Sequence, residues 1–159
     1  MSTEDSTPTW GMTFAITFHG PFHVGSGSPN EGLDRVLDRE NLLPATSLKG
    51  LMRAAATERL GIASALVDAV FGASGHGATK RTTGSPWLWT DARLAGVKFD
   101  RTARIEIDDD TGAVSRGFLA LGESVWSSGG SFAVRLRTEI SPAEFARHRV
   151  LLRAAARAV

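Results

Sequence analysis

The sequence predicts an α+β domain. Three observations carry that expectation. Apolar and polar residues alternate in two well-separated stretches, two other stretches show a helical apolar stripe, and the pieces follow one another as strand, loop, helix, strand, hairpin, strand, helix. That order is most of a ferredoxin-like (RRM-like) βαββαβ fold with a long loop, a hairpin insertion and its last strand missing.

Residues 1–9 are polar, carry Glu4 and Asp5, and read as a disordered tail ahead of a single domain over residues 10–159. Trp10, Met12, Phe14, Ile16 and Phe18 alternate with small or polar residues, the period-two mark of a half-buried strand. Residues 19–46 contain Gly20, Pro21, Gly25, Gly27, Pro29, Gly32 and Pro44. So many breakers predict a long irregular loop, and such loops are often functional. A helix is expected from about Thr46 or Ser47, either of which can cap it. Its apolar stripe is Leu48, Leu51, Met52 and Ala55, while Lys49 and Arg53 share another face.

A second short helix is expected over residues 62–71, followed by a Gly-, Thr- and Ser-rich segment to Pro86. Trp87 to Leu94 reads as a strand, with Trp87 and Trp89 on one face as core rather than as base-stacking rings. Arg101 to Gly122 predicts a hairpin around the turn residues Asp110, Thr111 and Gly112. Phe132, Val134, Leu136 and Ile140 mark the last strand. Ser141, Pro142 and Glu144 form a capping box with proline at the first helical position. The helix they open has Phe145, Leu152, Ala156 and Val159 on its apolar side and Arg149, Arg153 and Arg157 together on another.

Composition narrows the function classes. The 159 residues are 42% hydrophobic and 22% charged, which suits a folded domain and excludes wholesale disorder. A net charge of +1 leaves any nucleic-acid surface to local clustering. The absence of cysteine removes disulfides, thiolate metal sites and cysteine nucleophiles, and fits a reducing cytoplasm. The first residues have neither a basic start nor an apolar run, so no signal peptide and no membrane span are expected. Gly25 and Gly27 lie too far from the next helix for a dinucleotide fingerprint, and Asp108 to Asp110 lack the rest of an EF-hand loop.

Residues 41–53, Asn-Leu-Leu-Pro-Ala-Thr-Ser-Leu-Lys-Gly-Leu-Met-Arg, resemble the signature I-P-G-S-S-L-K-G-x-x-R of the RAMP family of RNA-binding proteins. Phe71-Gly72, Thr90-Asp91-Ala92, and the stretch from Arg101 to Phe132 with Glu123 and its I-D-x-x-T-G turn are similar to family motifs in the same order. Within that family, Gly32-Leu33-Asp34, Val36-Leu37 and Arg39 look like the loop of the repeated backbone subunits of type III CRISPR effector complexes.

The resemblance implies a guide-RNA-binding subunit that assembles with copies of itself and other effector subunits and cleaves complementary target RNA at regular intervals. It places the catalytic role on Asp34, with Mg2+ or another divalent cation held there. A carboxylate can hold such an ion, which stabilises charge on the scissile phosphate; a solvated loop acid is the ordinary alternative. His23, Ser47, Lys49 and Arg53 are the implied RNA-binding residues. The N–H groups and positive dipole end at a helix start favour phosphate beside Ser47 and Lys49. His23 also reads as a packed loop histidine, and Lys49 and Arg53 as an exposed basic face. Family members usually continue past the last helix into a closing strand, so an open sheet edge and self-association are expected. The alternatives are a non-catalytic RAMP subunit, a guide-processing RAMP endoribonuclease using histidine acid–base chemistry, and a small ferredoxin-like ligand-binding domain.

Overall fold

The computed structural model describes residues 10–25, 37–73, 82–107 and 114–159, with the backbone alone for 102–107 and 114–121. The elements are β1 (Gly11–Ile16), α1 (Ala45–Ala54) running on into a π turn (Ala55–Arg59), α2 (Ser64–Phe71), β2 (Trp87–Trp89), β3 (Arg93–Ala95), β4 (Lys98–Ile107), β5 (Val114–Trp126), β6 (Gly129–Leu136) and α3 (Pro142–Arg157). The α+β expectation holds, with antiparallel pairing of β6 with β2 and β3 and of β4 with β5.

The chain divides into two compact units. In the first, which takes in residues 10–14, 44–73, 82–91 and 132–159, β6 lies between β1 and β2. One face of this sheet carries Trp87, Trp89, Phe132 and Val134, which are buried with Leu48 and Met52 of α1 and Leu151 and Leu152 of α3. Phe14 stacks on Phe132 at 5.2 Å and Phe71 on Trp89 at 5.6 Å, offset geometries that add to the area buried. The period-two reading of residues 10–18 and the placement of both tryptophans in the core therefore stand.

α3 starts where its local sequence dictates. Ser141 is the N-cap: its Oγ accepts the Glu144 N–H at 3.3 Å, and its own N–H donates to Glu144 Oε2 at 3.0 Å. The Ser141 hydroxyl, and then its backbone N–H, hold the Glu144 carboxyl below its usual pKa. α1 starts differently. Its N-cap is Pro44, which has no side chain to cap with, and Thr46 and Ser47 lie inside the first turn rather than before it. The orphan N–H of Ala45 is taken instead by the carboxylate of Asp91, 46 residues away, at 2.7 Å.

That bond also accounts for a second departure. Trp87 to Leu94 is not one strand but two short ones, because the chain leaves the ladder to present Asp91 to α1. At the break Thr90 keeps pairing with Ala133, its Oγ1 accepting the Ala133 N–H at 2.9 Å, while the Ala92 N–H turns to the Leu43 carbonyl. The expected stripe on α1 is narrower than the sequence suggests: Leu48, Met52 and Ala55 are buried, but Leu51 is 49% exposed.

The second unit takes in residues 15–25, 37–43, 92–107 and 114–131. The predicted hairpin is present and longer than Arg101–Gly122, pairing Lys98 with Trp126 at its base. Its Asp110-Thr111-Gly112 turn lies outside the described residues. Phe22 pairs with Val125 of β5, and Phe18 stacks on Phe22 at 4.7 Å.

Candidate functional site: a basic helix face and a clamped loop stem

Ser47, Lys49 and Arg53 all lie on α1, in the first unit. The Ser47 N–H donates to the Pro44 carbonyl at 3.0 Å, and the Asp91 carboxylate takes the Ala45 N–H, so this helix start already has an anion beside it. Lys49 sits with its ammonium 5.4 Å from the ring centroid of buried Trp89. Burial, then the like charges of Arg53 and Arg137, pull its pKa below the usual ammonium value. A group held among like charges and partly desolvated gains most from a bound anion.

Arg53 is committed within the protein. Its Nη1 donates to the Gly72 carbonyl at 2.6 Å and its Nη2 to Asp68 at 2.7 Å, tying α1 to the end of α2. Gly72 allows this bond because it takes φ +84°, where a Cβ would stand 2.7 Å from the Thr83 carbonyl oxygen. Sequence reasoning passed over Arg137. It is exposed, its Nε donates to the Ser85 carbonyl at 3.0 Å, and its charge acts on Lys49. Eighty-eight positions separate the two basic residues (137 − 49), so no local pattern joins them.

His23 belongs to the second unit. Its Nδ1–H donates to the Glu123 carbonyl at 2.7 Å. The Glu123 side chain, only 5% exposed, accepts from Arg39 Nη2 at 2.6 Å, and the Arg39 guanidinium covers the Phe99 ring at 4.3 Å. Gly25 and Leu37 pair as an isolated bridge. Two residues flanking positions 26–36 are thereby fixed to β5 at one point, Glu123. Asp34, the expected catalytic and metal-holding residue, lies outside the described residues. Among the described residues no three His, Asp or Glu side chains gather as a metal cage, and no helix is long and apolar enough to cross a membrane.

A search of curated proteins gives no match. Among solved structures, a chain of the cryo-EM structure of Type III-B Cmr-beta in the apo state aligns with a TM-score of 0.69 and 15% identity, covering 89% of each chain. A chain of Type III-B Cmr-beta bound to cognate target RNA aligns with a TM-score of 0.68 and 15% identity, covering 88% of this chain and 87% of its own. At such identity the likeness is one of fold. The model of the RAMP superfamily matches residues 15–148, a span that includes the whole of α1 with its basic face and the Arg39–Glu123 stem. The chain belongs to the RAMP superfamily.

Proposed function

We propose that this chain holds guide RNA as a repeated backbone subunit of a cytoplasmic type III CRISPR ribonucleoprotein, beside copies of itself and other effector subunits. The supporting observation is the cation cluster of Lys49, Arg53 and Arg137 at α1, in a member of the RAMP superfamily that shares its fold with Cmr-beta chains. Lys49 and Arg137 contact the guide backbone directly, with Ser47 beside them. Arg53 adds charge while it braces the helix, and His23 contributes from the loop stem. Phosphate contacts position a strand without reading it, so pairing with the guide supplies specificity. The β1-β6-β2 strand order supports the ferredoxin-like form of the fold.

Target cleavage is assigned to Asp34. Mg2+ commonly rests on one or two carboxylates and keeps several waters, so a single carboxylate is an adequate protein ligand. Such an ion supplies charge stabilisation at the scissile phosphate. The test uses the assembled complex with labelled complementary RNA, in magnesium and in chelator. Wild type is expected to give a regularly spaced ladder only in magnesium, and Asp34→Ala is expected to bind target without cutting it. A mutant ladder equal to wild type removes Asp34 from the reaction. Binding without cutting by both proteins makes the chain a holding subunit. Lys49→Ala is expected to weaken guide binding and flatten its salt dependence by about one unit of slope; an unchanged slope removes Lys49 from the interface.

A further inference from the structure

The chain has three lysines, Lys49, Lys80 and Lys98. Lys49 is half-buried on α1, and its ammonium stands over the ring of buried Trp89. Arg53 follows one turn on, along the same side of the helix. Arg137, just beyond β6, stands near enough for its charge to act on the lysine. Among the described residues no carboxylate pairs with Lys49 and no acceptor takes its hydrogens. Two guanidinium groups stand where a lysine ordinarily has an acid.

The two arginines differ in what they have left to give. Arg53 is spent on Gly72 and Asp68. Arg137 is exposed, and the Ser85 carbonyl fixes its Nε at 3.0 Å. Its Nη groups have no hydrogen-bond partner among the described residues. It therefore offers oriented N–H donors to an anion beside the Lys49 amine. Burial, then the charges of Arg53 and Arg137, hold Lys49 below the usual ammonium pKa. More of it is free amine at neutral pH than in an exposed lysine, and the free amine is the nucleophile.

We propose that Lys49 is a modification site that takes an acyl group from a small acyl phosphate. The phosphate of the donor rests on the Arg137 guanidinium, which brings the acyl carbon to the Lys49 amine. The amine nitrogen attacks that carbon. The N–C bond forms, the C–O bond to the phosphate oxygen breaks, and phosphate leaves with the bonding pair and takes up the proton that the nitrogen gives up. The product is a neutral amide, so the reaction removes one positive charge from α1. A neutral acyl ester has no anion beside its reacting carbon and gains nothing from Arg137. This assignment is independent of the RNA reading of α1.

The full chain is incubated with acetyl phosphate, and acetylation of each lysine is followed in time by mass spectrometry of its peptides. Lys98, exposed on β4, is the internal standard. Lys49 is expected to react several-fold faster than Lys98, and this ratio is expected to shrink when the donor is p-nitrophenyl acetate, a neutral ester. Inorganic phosphate is expected to slow Lys49 and spare Lys98, whereas chloride at the same ionic strength slows neither. Arg137→Gln is expected to bring Lys49 toward the rate of Lys98, with the fold checked by its unfolding midpoint. If that variant does not fold, the phosphate competition on wild type decides. Equal rates at Lys49 and Lys98 overturn the proposal. So does a preference for Lys49 that is as large with the neutral ester, or one that phosphate leaves unchanged, since either takes Arg137 out of donor binding.

Discussion

α1 and α3 pack on the same sheet face but are specified in different ways. α3 carries its start signal within four residues, Ser141 to Glu144, and its buried side includes His148, Leu151, Leu152 and Ala155 at helical spacing. α1 borrows nearly everything from afar. Asp91 caps it, Asp68 and Gly72 receive Arg53, and Trp89 donates its indole N–H to the Met52 sulfur at 3.3 Å. A helix capped by its own residues shows its start in its own sequence, although of the apolar side expected for α3 (Phe145, Leu152, Ala156 and Val159) only Leu152 is among its buried residues and Val159 is 57% exposed. A helix specified through tertiary contacts can be read only once the sheet is in place, and the helix that carries the basic face is of the second kind.

The sharpest way to break this contrast is to remove the long-range contacts one at a time. Met52→Ala takes a side chain that is 2% exposed out of the core and strips Trp89 of its acceptor. A loss of about 2–5 kcal/mol is expected in denaturant unfolding with an unchanged m value. Val150→Ala on α3, at a position 70% exposed, is expected to stay within about 0.5 kcal/mol.

Arg53→Ala is expected to cost roughly 1–2 kcal/mol, because it leaves the Gly72 carbonyl and Asp68 unanswered at a partly solvated site. Lysine at the same position cannot span both acceptors and is expected to recover only part of the loss. If Arg53→Ala weakens guide binding with no change in the unfolding midpoint, its bracing role is wrong.

Asp91→Ala and Ser141→Ala are each expected to cost about 1 kcal/mol, the usual worth of a capped helix start. Two readouts separate them. Circular dichroism of a peptide spanning residues 139–159 should lose helicity on Ser141→Ala, whereas the Asp91 effect exists only in the folded chain. Asp91→Ala also removes an anion from the helix start beside Lys49, so RNA affinity is expected to rise as stability falls. Affinity and stability falling together would place the phosphate elsewhere.

The smallest expected effect is a pH dependence in α3. His148, 4% exposed, accepts the Trp87 indole N–H on Nδ1 at 3.1 Å, and an indole can only donate. Burial lowers the histidine pKa first, Glu144 opposes that, and Arg147 adds to it. The folded state therefore binds the proton less readily than the unfolded chain. Stability is full above the ordinary histidine value of about 6.5 and declines as the pH falls below it. Unfolding midpoints of wild type and His148→Gln between neutral and mildly acidic pH should converge toward acid; parallel curves would remove His148 from the titration.

Legibility followed the same division. Period two over residues 10–18, the box at Ser141 and Glu144, and the burial of Trp87 and Trp89 were all visible in the sequence, since each depends on neighbours within a few residues. The start of α1 was misplaced by one or two positions because Pro44 offers no cap and the real partner is Asp91. The same interaction hid the break between β2 and β3. Of the candidate site, Lys49 and Arg53 were legible as a helix face and Ser47 as part of the helix start, while Arg137 and the Arg39–Glu123–Phe99 contacts required the fold to bring distant positions together.

The bridge between Ala73 and Thr83, bonded in both directions at 2.9 Å, gives the chain a practical use. Both ends of the segment they enclose are fixed to the protein: Gly72 receives Arg53, and the Ser85 Oγ donates to the Val70 carbonyl at 2.6 Å. Adding residues between two chain positions that are already held together costs about 0.6 kcal/mol per doubling of the enclosed length. A fluorescent label or affinity tag inserted between Ala73 and Thr83 is expected to leave the folding of α1 unchanged, which an unfolding midpoint equal to wild type would check.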